Sequence, residues 1–336
     1  MGAVSDIVNM GTWTRMRMWL FSIAVALLGA QTLNYLGLVD LSKSIYLTPN
    51  FSWLAYVAGG LLFGVGMTLA SGCASKTLVR IGGGSLKAVV VLAFLAISAY
   101  MTLKGLFAVW RINVFDSSSI ALTRSQEIPV LVAGALGIGE SSLRLILTAI
   151  IGLSLIAYAF ASREFRAFEN WFPALLIGLV IVGGWYVTGH LGHVAEDPRT
   201  LEEVFAGTNS GKPESFSFVA PAAYSLELLM LWSDQSRIVT FGIAAVAGVI
   251  AGSLAYALAS RTFRVEGFRE SGDLGNHIVG AILMGFGGVT ALGCTIGQGI
   301  TGLSTLALGS VLAFLSIVAG AAATMKYQYW RLMRAD

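Results

Sequence analysis

Residues 59–73 read GGLLFGVGMTLASGC, and residues 280–294 read GAILMGFGGVTALGC. At a spacing of 221, Gly59, Leu62, Gly64, Gly66, Ala70, Gly72 and Cys73 recur as Gly280, Leu283, Gly285, Gly287, Ala291, Gly293 and Cys294. Both copies end on a cysteine, and these 2 are the whole thiol inventory of the chain. The likeness extends outward. VLAFLAI (91–97) returns as VLAFLSI (311–317), and Arg17, Phe21, Ile23 and Ala24 meet Arg237, Phe241, Ile243 and Ala244. A three-span unit over 17–106 thus repeats over 237–326, and 107–236 supplies connecting spans and outer segments.

Composition sets the solvent of this repeat. Of 336 residues, 56% are hydrophobic and 12% charged, about half the usual quarter of a soluble protein. Glycine numbers 40, where average usage gives about two dozen. These figures exclude a soluble enzyme, a disordered chain and a disulfide scaffold. The glycines keep no period of three, which excludes collagen, and a net charge of +3 argues against a nucleic-acid partner. A single all-α polytopic membrane domain remains, with lipid around it and glycines for close helix packing or close backbone approach to a ligand.

A span needs about 20 apolar residues. Eight stretches qualify: 19–39, 52–70, 88–103, 145–162, 172–189, 238–260, 274–292 and 304–325. Two shorter pieces, 128–138 and 218–232, read as re-entrant or interfacial segments, leaving eight to nine transmembrane helices. The first stretch follows Arg15 and Arg17, as a signal peptide would, but it is long for one and lacks a clear cleavage site, so it reads as a retained span. With both termini in the cytoplasm, inner segments carry thirteen Lys and Arg, among them Arg17, Lys76, Arg80, Lys87 and Arg269. Outer segments carry eight, among them Lys43, Arg111, Arg144 and Arg199. That bias obeys the positive-inside rule.

Parity then fixes the relation of the copies. The stretch before Cys73 is the second span and the stretch before Cys294 the seventh, so they run in opposite directions. Inverted repeats of this kind are common among secondary transporters. The short pieces ASKTLVR (74–80) and TIGQGIT (295–301) follow the cysteines and read as half-helices folding back toward the midplane. Their N–H groups at Ala74, Thr295 and Ile296 would face an anion in the glycine loops. Ser71, Ser75, Thr77, Thr290, Thr295 and Gln298 add neutral donors, Lys76 and Arg80 add inner positive charge, and Gly72 and Gly293 admit the backbone.

A thiol in a dry, apolar setting stays S–H, donates a weak hydrogen bond and suits a large sulfur atom in the ligand. A lone buried cysteine is ordinarily a small packing residue; the only two, in equivalent slots of a repeat, read as functional. Other candidates read more plainly. His190, His193 and His277 lack convergent partners for a metal site and suit a polar mouth or helix ends. Glu140 and the acidic run 196–203 read as solvated. Met67 and Met284 raise a copper(I) path but suit packing. The spacings Gly60–Gly64 and Gly134–Gly139 mean close helix contact.

GGLLFGVGMTLASGCASKTLVRIGGGSLK (59–87) and GAILMGFGGVTALGCTIGQGITGLSTLALGS (280–310) closely resemble the two signature blocks of the YeeE/YedE family. Weaker likeness in WYVTGHLGHVAEDPRTLEEVF (185–205) and TNSGKPESFSFVAPAAYSLELLM (208–230) carries the resemblance over nearly the full chain. It implies a bacterial inner-membrane protein of inorganic sulfur uptake that imports thiosulfate through a central pore; no enzymatic step, cofactor or metal is expected. Cys73 and Cys294 match the motif cysteines, which pass thiosulfate through S–H···S contacts. A third cysteine, present near the outer entrance in some members, is absent here. The resemblance also implies a cytoplasmic partner, a TusA-like sulfur carrier or a rhodanese. Alternatives from another class are a sulfur relay forming a persulfide on cysteine and a redox disulfide between Cys73 and Cys294; another sulfur or selenium species is a further cargo.

Overall fold

The computed structural model describes residues 1–137, 139–196, 201–268 and 270–335. Asp197, Arg199 and Arg269, which enter the charge pattern above, lie outside the described residues. In chain order the main helices are α1 (Thr14–Tyr35), α2 (Trp53–Leu69), α3 (Ala74–Gly82), α4 (Leu86–Lys104) and α5 (Ile128–Leu136). Then follow α6 (Glu140–Phe160), α7 (Phe168–Tyr186), α8 (Val219–Met230), α9 (Phe241–Ala259), α10 (Ser271–Thr290) and α11 (Leu308–Ala335). Among the described residues the strands amount to two short antiparallel pairs, Asn50–Phe51 with Ile120–Ala121 and His193–Val194 with Val204–Phe205.

The eight long helices coincide with the eight apolar stretches. A helix such as α4, with 19 residues, is about 28 Å long, close to the roughly 30 Å hydrocarbon core of a bilayer. Among the described residues, seven segments are long and apolar enough to cross by composition alone. The exception is α10, whose first two turns hold Asp273, Asn276 and His277. These groups have partners: Lys87 Nζ donates to Asp273 Oδ2 at 2.5 Å, and His277 Nδ1 lies 2.7 Å from the Asp273 carbonyl. The chain is an all-α polytopic membrane protein. The two shorter apolar pieces become α5, with 9 residues, and α8, with 12; at about 1.5 Å per residue neither reaches across.

The centre is built by backbone approach. A Cβ on Gly59 would lie 2.8 Å from the Gly287 carbonyl oxygen, and one on Gly287 would lie 2.6 Å from that of Gly59. Gly66 and Gly280 clash reciprocally in the same way, each 2.6 Å from the other's carbonyl oxygen. The partner number falls as the first rises, so α2 and α10 are antiparallel at their crossing. Equivalent glycines seat each helix on its next neighbour. Gly64 of α2 meets the Ile317 carbonyl of α11, and Gly285 of α10 meets the Leu95 carbonyl of α4. Small residues let helix backbones touch where lipid supplies no hydrophobic drive. Helices α6 and α7 pack on α1 outside this core.

Loop contacts sort into two faces. The N-terminal segment packs beside α11, so both termini share one face. Arg264 N bonds Gly83 O at 3.1 Å, and Arg17 Nη1 bonds Tyr158 O at 2.6 Å on that face. The opposite face holds the strand pairs and the Lys43–Glu203 ion pair at 2.6 Å. Glu140 is exposed, as expected, and bonds Arg124 there.

Candidate functional site

Each central helix stops at the same kind of turn. Ser71 and Leu292 occupy equivalent positions, and both are left-handed, with φ of 57°. Such a backbone suits glycine, and holding serine or leucine there stores strain of about 1 kcal/mol or more each. Gly72 and Gly293, where local chemistry points for that turn, serve a different need. A Cβ on Gly72 would sit 3.1 Å from Lys76 Cδ, and one on Gly293 would sit 3.1 Å from Gln298 Cγ.

Cys73 is the extended residue just before α3, with ψ of 171°. Its Sγ lies 3.2 Å from Ser75 Oγ, and its carbonyl accepts from Thr77 N at 2.9 Å and Thr77 Oγ1 at 3.1 Å. Ala74, the first residue of α3, is fully buried. Arg80 Nη1 reaches the Ser71 carbonyl at 3.4 Å, whereas Lys76 is exposed and lays its aliphatic stem over Gly72.

The second copy departs from the half-helix expectation. A single α-helical step at Thr295 and Ile296 widens into a π-helical turn, Gly297–Gly302, followed by a tight turn, Leu303–Thr305. Three glycines disfavour an α-helix, and each has a packing reason. A Cβ on Gly297 would meet Ser217 Oγ at 2.6 Å, one on Gly299 would meet Phe314 at 2.7 Å, and one on Gly302 would meet Ser310 Oγ at 2.3 Å. Gly297 N donates to Cys294 Sγ at 3.4 Å, and Gln298 N to Cys294 O at 2.8 Å. The buried Gln298 amide donates to Ala291 O at 2.5 Å, while its Oε1 has no partner.

The two loops meet. Cys73 and Cys294 are free thiols in one buried cluster with Phe63, Met67, Met284, Phe218 and Val219. Thr295 Oγ1 is buried without a hydrogen bond of its own and lies within reach of the Cys73 thiol. Residues 221 apart in sequence are thereby brought together, and Met67 and Met284 fill the space between helices. Cys73 keeps 8% of its surface exposed and Cys294 none.

Cavities approach this closed centre from both faces. One of about 190 Å³ enters from the face opposite the termini and ends against Leu292 and Gly293, beside Cys294. Another, of about 680 Å³, opens on the terminal face and reaches Thr68, just before the Cys73 turn. The sequence reading missed the first cavity's wall, which draws Tyr46, Arg111, Asn209, Glu214, Ser217 and Tyr224 from three distant segments. Its visible signal was the polar run TNSGKPESFS (208–217) between apolar pieces. The histidines stay apart from the centre. His190 Nδ1 lies 3.1 Å from Leu38 O, and His193 pairs with Glu203 at 2.6 Å. Lys43 and His193 hold the Glu203 carboxyl below the usual carboxylate range. Among the described residues no group of three or more His, Cys, Asp or Glu converges as a metal site would require.

Comparison with known proteins adds a family. Residues 1–323 match the family model described as sulphur transport. The chain is 28% identical over 293 residues to the thiosulfate transporter TsuA of Escherichia coli, covering 84% of this chain and 76% of that protein. It is 26% identical over 308 residues to a thiosulfate transporter TsuA of Spirochaeta thermophila, covering 89% of this chain and 84% of that one.

Proposed function

Because the chain belongs to the sulphur transport family, the YeeE/YedE family of the sequence resemblance, we propose that it imports thiosulfate across the bacterial inner membrane with both termini in the cytoplasm. The observation that carries this reading is the convergence of the two Gly-Cys loops on one buried centre, with Thr295 of one beside Cys73 of the other. In the same reading, 17–106 and 237–326 are inverted halves that each contribute one station, Cys73 from the first and Cys294 from the second. The names of the relatives support the cargo, and the Lys and Arg bias toward the terminal face supports the orientation.

Charge decides what the centre must supply. Moving one unit charge from water into a dry interior costs on the order of 20 kcal/mol before relaxation. A hydrogen bond to a charged group contributes about 1.5–3 kcal/mol, so a dianion needs many donors along its path. The backbone N–H groups opening at Ala74, Thr295 and Ile296, with Ser71 and Ser75, supply them, and Gln298 holds the second turn through its bond to Ala291 O; Lys76 and Arg80 draw the anion toward the cytoplasm. Two weak S–H donors add less affinity but a specific match to a terminal sulfur. A cytoplasmic sulfur carrier of the TusA type, or a rhodanese, would take the anion from the terminal face.

The test is uptake of labelled thiosulfate by vesicles containing the purified protein, with an intact-mass measurement of the protein afterwards. Accumulation with unchanged protein mass is expected. A mass gain of one sulfur atom on Cys73 or Cys294 would replace transport by S–H contact with a persulfide relay.

A further inference from the structure

The cavity ending at Gly293 has an unusual wall for an anion's path. Among the described residues it carries one cation, Arg111, and one carboxylate, Glu214, with Tyr46 and Tyr224 between them. Arg111 Nε is buried and makes no hydrogen bond; its nearest carboxylate oxygen, Asp116 Oδ2, lies 3.5 Å away. Glu214 is fixed by its backbone: its N–H donates to Thr188 Oγ1 at 3.2 Å, and its carbonyl accepts from the same hydroxyl. Its side chain receives Ser210 Oγ at 3.2 Å and forms no ion pair with any described residue. Burial raises its carboxyl to about 7, against smaller opposing effects of Ser210 and Asn209.

The groups around Glu214 can be named element by element. Tyr46 faces it from the turn Ile45–Leu47, Tyr224 from α8 and Arg111 from the segment after α4. Glu227, one turn further along α8, is committed to Lys104 at 2.8 Å and Arg237 at 3.1 Å. His190, near Thr188, bonds Leu38 O, and Lys212 on Glu214's own segment is exposed. No cation is therefore paired with the one carboxylate that a dianion must pass.

We propose that Glu214 is the proton-binding group of this outer vestibule, and that the anion enters together with a proton taken up by Glu214. This rests on the transport reading above. The step is a simple protonation: a proton from outside water forms the O–H bond of the Glu214 carboxyl when the anion arrives, and returns to water when the anion leaves. The neutral acid then donates a hydrogen bond to an anion oxygen, and Asp116 is the one carboxylate left opposing Arg111 among the described residues.

The experiment is the initial rate of thiosulfate uptake into vesicles at sub-saturating anion, with outside pH varied between about 5.5 and 8.5. Wild type is expected to hold its rate at low pH and to lose roughly tenfold per unit above the vestibule's transition. Glu214→Gln removes that slope and Glu214→Asp retains one. An unchanged slope in Glu214→Gln, or a flat wild-type profile, overturns the proposal. Infrared titration of the protein without thiosulfate gives an independent readout. A protonated-carboxyl band that titrates near neutrality is expected in wild type and absent in Glu214→Gln, and its absence from wild type also overturns the proposal. If thiosulfate is not taken up at any pH, the transport reading fails, and the infrared titration still decides whether Glu214 binds the proton.

Discussion

Replacing Cys73 and Cys294 together by alanine is expected to lower thiosulfate uptake about a hundredfold, close to the background of empty vesicles. On the proposed path each thiol contributes one S–H donor to a centre that otherwise holds apolar side chains and neutral donors. Losing a hydrogen bond to a charged ligand costs about 1.5–3 kcal/mol, a weak S–H donor falling at the low end, and 1.4 kcal/mol is a factor of ten. Single variants should each lose about tenfold, and the losses multiply where the anion meets the two thiols at successive stations. The substitutions remove little packing volume, so the melting temperature of the purified variants should stay near that of wild type. Rates at wild-type level in the double variant would remove the thiols from the mechanism.

The second large effect is on the scaffold. Gly64→Ala places a Cβ 2.3 Å from the Ile317 carbonyl oxygen and 2.7 Å from Ala321 N. Both are backbone atoms, so relief requires α2 and α11 to separate, and overpacking of this kind costs roughly 1–3 kcal/mol. Gly183 on α7 is the matched control, since nothing lies within 4 Å of its Cβ position. Gly183→Ala is expected to be neutral or to stabilise by up to about 1 kcal/mol through helix propensity. Thermal unfolding in detergent should therefore move in opposite directions, or down against unchanged, for two identical chemical changes. Equal melting temperatures would contradict the close packing of the central helices.

How much of this was legible in the sequence differs by feature. Helices such as α1, α4 and α9 announce themselves by length and apolarity. The stretch 274–292 reads as a span because it starts just past Asp273 and carries no charged residue; the match of GAILMGFGGVTALGC to GGLLFGVGMTLASGC agrees with it. The same match, with the opposite directions of the two spans and the folding back of the pieces after each cysteine, brought Cys73 and Cys294 together near the midplane. The turn itself was not legible. Gly72 and Gly293 are the natural left-handed residues, but Ser71 and Leu292 take that conformation, and the glycines lie one residue later beneath the Lys76 and Gln298 side chains. The wide turn Gly297–Gly302 also escaped, because its shape follows from contacts with Ser217, Phe314 and Ser310 on other segments. The cavity opposite the terminal face has no linear signature: Tyr46, Arg111 and Glu214 line it together only when three separate segments fold against one another.

The most direct test of the central claim is a binding titration of the purified protein with thiosulfate, sulfate, sulfite and selenite. Sulfate and thiosulfate share charge and shape and differ by a terminal sulfur in place of an oxygen, so the comparison isolates what the thiols recognise. Thiosulfate should bind at least tenfold more tightly than sulfate, a difference of about 1.4 kcal/mol, and the preference should vanish in the Cys73→Ala, Cys294→Ala variant. Equal affinity for sulfate and thiosulfate in the wild-type protein would contradict it.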